Sequence, residues 1–138
     1  MSYITEGTSK QVLEVFGKWL ESYNITRIQW VALYFIFTEG TISQRELSRL
    51  MNINDSSSMR LVQRMERDDL LVRKRSEVDR RIIYIYLTEK GTNLITKLMP
   101  VGLKFSKLLL KGISDEEFEV FQKVLDQMLI NVQGYEDY

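Results

Sequence analysis

Leu71-Val72-Arg73-Lys74-Arg75-Ser76-Glu77-Val78-Asp79-Arg80-Arg81-Ile82-Ile83-Tyr84-Ile85-Tyr86-Leu87 is the stretch that decides how this chain is read. β-Branched and aromatic residues fill both flanks, and a charged turn separates them. Such a pattern predicts a hairpin over about 71–87. The turn ends in two adjacent arginines, Arg80 and Arg81. A narrow hairpin with arginines at its tip suits a DNA minor groove, which is strongly negative where A·T pairs narrow it.

What stands before the hairpin carries the same message. Ser43 and Glu46 have capping-box spacing and predict a short helix to about Met51 that buries Leu47, Leu50 and Met51. A tight turn over Asn52 to Asp55 leads to a helix over about 55–68. Two short helices around such a turn, about 42–67, form a helix-turn-helix pattern. The second helix has two faces. Ser58, Leu61, Val62 and Met65 should pack inward, while Ser56, Ser57, Arg60, Gln63, Arg64 and Arg67 face out. Small hydroxyl residues let a helix backbone approach a groove floor, and arginine and glutamine donate to base edges or phosphates. Ser56, Ser57, Arg60, Gln63 and Arg64 are therefore candidate DNA contacts. Ser43 and Gln44 join them, because free amides and the helix dipole at a helix start suit a phosphate. Arg73, Lys74, Arg80 and Arg81 complete the set from the hairpin; Arg73 and Lys74, if they reach DNA at all, should act through phosphate.

Helices also flank this central lobe. Val12, Leu13, Phe16, Trp19, Leu20 and Tyr23 give an amphipathic helix over about 9–23. Thr26 with Gln29 caps a second, about 27–39, whose sequence is apolar almost all round and which should be central. Gly40 ends it. Thr88 caps a helix that Pro100 and Gly102 should kink or interrupt. Ser114 with Glu117 opens a last helix striped by Phe118, Phe121, Leu125, Met128 and Val132. Apolar surface on terminal helices, outside a lobe with its own core, points to subunit pairing. The expected fold is mainly α with a small β-hairpin wing: one domain over 1–138 in which a winged helix-turn-helix lobe joins dimerisation helices at about 9–23 and 88–133.

Composition narrows the function. The 138 residues are 44% hydrophobic and 28% charged, as in an ordinary globular domain. No apolar run reaches the roughly 20 residues that span a bilayer, and no secretory leader is visible, so a cytoplasmic protein is expected. Cysteine and histidine are both absent. Disulfides, thiolate metal sites and histidine general bases are excluded with them, and no metal, cofactor or catalytic residue is expected. Net charge is zero, yet residues 41–81 carry ten basic and seven acidic side chains. The acidic excess lies toward the ends.

In this order of elements the sequence resembles the MarR family of winged helix-turn-helix transcriptional regulators. The resemblance rests on Ile28-Gln29-Trp30, Ser43-Gln44-Arg45-Glu46-Leu47, Arg60-Leu61-Val62-Gln63-Arg64-Met65-Glu66 and Leu70-Leu71-Val72-Arg73. Asp79-Arg80-Arg81, followed six residues later by Leu87-Thr88-Glu89-Lys90-Gly91, is its most specific part. It implies a homodimer that binds an inverted-repeat operator in double-stranded DNA, with a recognition helix in each major groove and a wing in the flanking minor groove. By position Arg81 is the wing arginine, and Asp79 orients the wing by pairing with a neighbouring arginine. The implied function is a repressor released by a small organic ligand, held in a cleft that Trp19, Trp30 and Tyr34 could line. Plain core is the other reading of those three rings. Asp69 stands where many family members have glycine.

Two other function classes compete with this one. A winged helix used only for protein contacts is the alternative reading, since fold does not fix function. Basic residues on both the helix face and the wing argue against it. An enzyme finds no motif here beyond scattered surface acids.

Overall fold

Thr26 sets the frame of the fold. Its hydroxyl accepts the amide of Gln29, and the Gln29 side chain accepts the amide of Thr26, a reciprocal cap that fixes where the central helix begins. The computed structural model describes the backbone of residues 2–135 and the side chains from residue 5 onward. In chain order the elements are α1 (Ser2–Glu21), α2 (Arg27–Glu39), β1 (Ile42–Ser43), α3 (Gln44–Met51), α4 (Asp55–Arg67), β2 (Leu71–Arg75), β3 (Ile83–Leu87), α5 (Glu89–Leu109) and α6 (Asp115–Gln133). Among these described residues, no helix is long and apolar enough to cross a membrane.

By backbone proximity the chain divides into two units, Met1–Gly102 and Leu103–Tyr138. In the first, α2 packs on α1, α3 and β3, and α4 packs on α3 and β2. Leu33 and Ile36 from α2, Leu47 from α3, Val62 and Met65 from α4, Leu71 from β2 and Ile85 from β3 form the buried core. Removing a side chain of this kind to alanine typically costs about 2–5 kcal/mol. The second unit holds the end of α5 and all of α6. A reciprocal cap between Ser114 and Glu117 opens α6, and none of its residues is buried in the isolated chain.

Several expectations need correction. The sheet has three strands in the order β1-β3-β2, not two, because Ile42 and Ser43 pair with Ile85 and Tyr84. Two residues are too short to leave a periodic signal. α1 begins at Ser2 instead of near residue 9, and it ends at Glu21, where Asn24 at φ 54° turns the chain. α5 is one helix across Pro100; a proline removes one i→i−4 bond, and the bonds on either side carry the helix through. The second helix is not central on all sides: Gln29, Ala32, Leu33 and Ile36 are buried, while Phe37 is 41% exposed. At α3 the cap is one-sided. Ser43 accepts the Glu46 amide, but the Glu46 carboxylate turns to Arg49 instead of closing the box.

Candidate nucleic-acid interface

Helix α4 starts where Asn54, with its side chain on the Ser57 amide, closes the turn opened by left-handed Asn52. Ser58, Leu61, Val62 and Met65 are buried, as the spacing required. That burial holds the helix, each large side chain contributing about 1.5–3 kcal/mol. Its opposite face is therefore fixed in direction. Ser56, Ser57, Arg60, Gln63, Arg64 and Arg67 all lie exposed along it. Among the described residues, Arg60 and Gln63 have no hydrogen bond or ion pair that would hold them back from a ligand.

The turn after α4 is tied down from the other side of the hairpin. Asp69 adopts φ 58°, the left-handed region that glycine usually fills. The carbonyls of this turn each find a donor near the start of α5. Lys90 Nζ donates to Asp68 O at 2.8 Å, Thr88 Oγ1 donates to Asp69 O, and the Thr88 amide donates to Leu70 O at 3.1 Å. Thr88 Oγ1 also accepts the Gly91 amide, capping α5. This gives the Leu87–Gly91 motif a physical reason: it clamps the turn after α4 to the base of the hairpin.

Beyond that base the wing extends outward. Ser76 shapes the tip, its hydroxyl accepting the amides of Val78 and Asp79, and Arg75 Nη1 donates to Arg80 O at 3.0 Å. Arg81 is held by Asp79. Its Nε and Nη2 each lie 3.1 Å from a different Asp79 oxygen, and its amide donates to Asp79 Oδ1. The Arg81 side chain is still 90% exposed, so the aspartate directs the guanidinium without covering it. Hydrogen bonds from Arg81 hold the Asp79 carboxyl below its usual range. Arg80 and Lys74 are exposed beside them.

Arg73 is placed differently. Strand alternation puts it on the face of buried Leu71 and opposite buried Ile85, while Lys74 turns outward with Val72. Its guanidinium is engaged with Glu66 of α4. Sequence reasoning passed over Glu66, Arg75 and Ser76. Arg75 was within reach of the alternation Leu71, Arg73, Arg75, which sends all three side chains to one face of the strand.

Between the wing and α3 runs a groove of about 880 Å³ lined by Ser43, Gln44, Arg45, Asp79, Arg81 and Tyr84, among others. Ser43 and Gln44 are both half-buried there. The hydroxyl of Ser43 is engaged by the helix start, and the Gln44 amide oxygen is buried with no partner among the described residues. On α2, Trp30 stacks on Tyr34 at 5.5 Å and meets Phe16 of α1 edge-on at 5.2 Å. Gly102 lies so close that a Cβ there would be 2.6 Å from Trp30 Cζ2. The Trp30 indole N–H is buried without a partner among the described residues, and Trp19 is half-buried.

Residues 23–82, from the end of α1 to the tip of the wing, match the family model described as MarR family. Over these residues the chain is similar to the MarR family. The chain is 29% identical over 106 residues to the HTH-type transcriptional regulator YsmB of Bacillus subtilis, a match over 77% of this chain and 73% of that one. Two solved structures share the fold. The S. aureus MepR–DNA complex has a TM-score of 0.87 at 23% identity, covering 95% of this chain and 97% of that one. AbsC, a MarR family transcriptional regulator from Streptomyces coelicolor, has a TM-score of 0.88 at 20% identity, covering 96% and 91%. Placed on the MarR fold, α3 and α4 are the helix-turn-helix and the β2–β3 hairpin is the wing.

Proposed function

We propose that this chain is a sequence-specific regulator of transcription that binds double-stranded DNA as a homodimer. The observation that carries this reading is the pairing of two exposed basic features on one rigid frame. Arg60 and Gln63 project from a helix whose other face is buried, and Arg81 projects from a wing tip that Asp79 orients. α4 would enter the major groove with Arg60 and Gln63 at base edges and Ser56 and Ser57 close to the floor. Ser43, Gln44, Arg64 and Lys74 would meet the backbone, and Arg80 and Arg81 the minor groove beyond. The DNA partner of the similar MepR structure is consistent with this assignment.

Homodimer formation follows from the exposed apolar residues of α6. Phe121, Leu129, Ile130 and Val132 are each more than half exposed in the single chain, an arrangement that a second copy would cover. Repression, relieved by a small organic ligand near Trp30 and Tyr34, completes the proposal; the partnerless indole N–H is a donor that a ligand oxygen would satisfy. The test is a mobility shift on genomic fragments with excess competitor DNA, alongside a mass by light scattering. Retention of a few fragments by a protein of twice the chain mass supports the proposal. Shifts that competitor abolishes for every fragment, or a monomeric mass at micromolar concentration, contradict it.

A further inference from the structure

Glu66 sits in the last turn of α4, where the helix dipole disfavours a negative charge and where its neighbours on the exposed face are arginines. Local stability therefore gives no reason for an acid here. The reason lies across the gap to the wing. β2 is an edge of the sheet, and the Arg73 amide, pointing away from β3, donates to Glu66 Oε2 at 3.1 Å. The Arg73 guanidinium adds two bonds to the same carboxylate, Nε to Oε2 at 3.2 Å and Nη2 to Oε1 at 3.0 Å. One carboxylate thus takes three donors from one residue, the forked geometry in which arginine is most directional. The Arg73 side chain is 28% exposed and that of Glu66 37%, so the pair is half sheltered and points inward. Hydrogen bonding by Arg73 holds the Glu66 carboxyl below its usual range.

We propose that Glu66 and Arg73 are positioning residues that fix the wing against the recognition helix, so that the half-site and its flank are read in register. Arg73 acts through Glu66 and does not touch phosphate. This rests on the DNA-binding reading above. The covalent route from α4 to β2 is Asp68-Asp69-Leu70, a turn with one left-handed residue, and the clamp from α5 holds only its carbonyls. Among the described residues, the carboxylate of Glu66 joins the two elements by side-chain hydrogen bonds, beyond their apolar packing.

Two duplexes separate the possibilities. One is the inverted repeat that the parent protein selects from randomised DNA; the other is the same repeat cut off at the outer edges of its half-sites. On the full duplex, Glu66→Gln and Arg73→Lys should each weaken binding roughly tenfold, and the double variant no more than the worse single one. On the cut duplex the variants should bind like the parent, because the wing has nothing left to read. The slope of log affinity against log salt should flatten on the full duplex no more than in Arg81→Ala, and stay unchanged on the cut duplex. A phosphate contact predicts the opposite pattern. Glu66→Gln would then tighten binding by removing an acid, Arg73→Lys would keep affinity, and Arg73→Ala would lower the slope by roughly 2 per dimer on the cut duplex as well as on the full one. Any of those results overturns the proposal, as does equal loss on both duplexes or unfolding of both single variants at 25 °C. A parent that selects no sequence at all overturns the DNA-binding reading itself, and the positioning role with it.

Discussion

The backbone of Gly91 lies against the carbonyl of Leu70 so closely that a β-carbon at Gly91 would stand far inside van der Waals contact with the carbonyl oxygen. Only glycine allows the first turn of α5 to reach the turn behind the recognition helix. Three donors near the start of α5 depend on that approach. Gly91→Ala is therefore expected to destabilise the fold by about 2–3 kcal/mol, the upper part of the usual range for overpacking, since the obstacle is backbone and cannot rotate away. Urea unfolding at neutral pH checks this, and a change below about 0.5 kcal/mol would show that the clamp is loose.

Asp69 holds φ 58° one residue before Leu70. Aspartate visits the left-handed region more readily than most residues, but not as freely as glycine. Asp69→Gly should raise stability by about 0.5–1 kcal/mol, the relief of strain exceeding the entropy that glycine adds to the unfolded chain. Asp69→Val should lower it. The shift in urea midpoint at constant slope is the measurement.

Arg60 and Gln63 are expected to read bases. Replacing either by alanine should cost about 1–3 kcal/mol on the selected sequence and blur preference at particular positions, with little change on random DNA. Equal losses on both kinds of DNA would move the residue from reading to anchoring.

At the wing tip, Arg81→Ala should weaken operator binding by about 1–3 kcal/mol and flatten its salt dependence, more so where A·T-rich flanks narrow the groove. Fold and mass should not change, because the side chain is 90% exposed. Asp79→Ala should lose less, by freeing the arginine. The pair also sets a pH signature. Since Arg81 lowers the Asp79 pKa in the folded chain, the ordering of the wing is complete above the usual aspartate range and is lost as pH falls through the depressed value. A carbon-detected titration of Asp79 should show a smaller depression in Arg81→Ala than in the parent, since the side-chain bonds are lost while the amide of residue 81 still donates to Asp79.

Much of this was legible in the sequence. The caps at Thr26 and Ser114 and the two faces of α4 follow from short-range rules, and short-range rules are what a sequence displays. The Asp79–Arg81 pairing was within reach because the partners are two residues apart. The Glu66–Arg73 link was not seen, though the alternation that sends Arg73 inward was available. Choosing between solvent and a partner seven residues away needs the angle between helix and strand. β1 was missed for a similar reason: two residues become a strand only because β3 lies beside them. The continuity of α5 past Pro100 depends on context that no local rule for proline contains.

The central claim is that α4 and the wing read one continuous stretch of DNA on each side of a two-fold axis. Selection from randomised duplex, followed by hydroxyl-radical footprinting of the winning sequence, tests it most directly. The account predicts an inverted repeat with half-site centres roughly 10 base pairs apart, and further minor-groove protection outside each half-site that Arg81→Ala removes. Bound fragments without a shared sequence, or a footprint that ends at the half-sites and ignores Arg81→Ala, would contradict it.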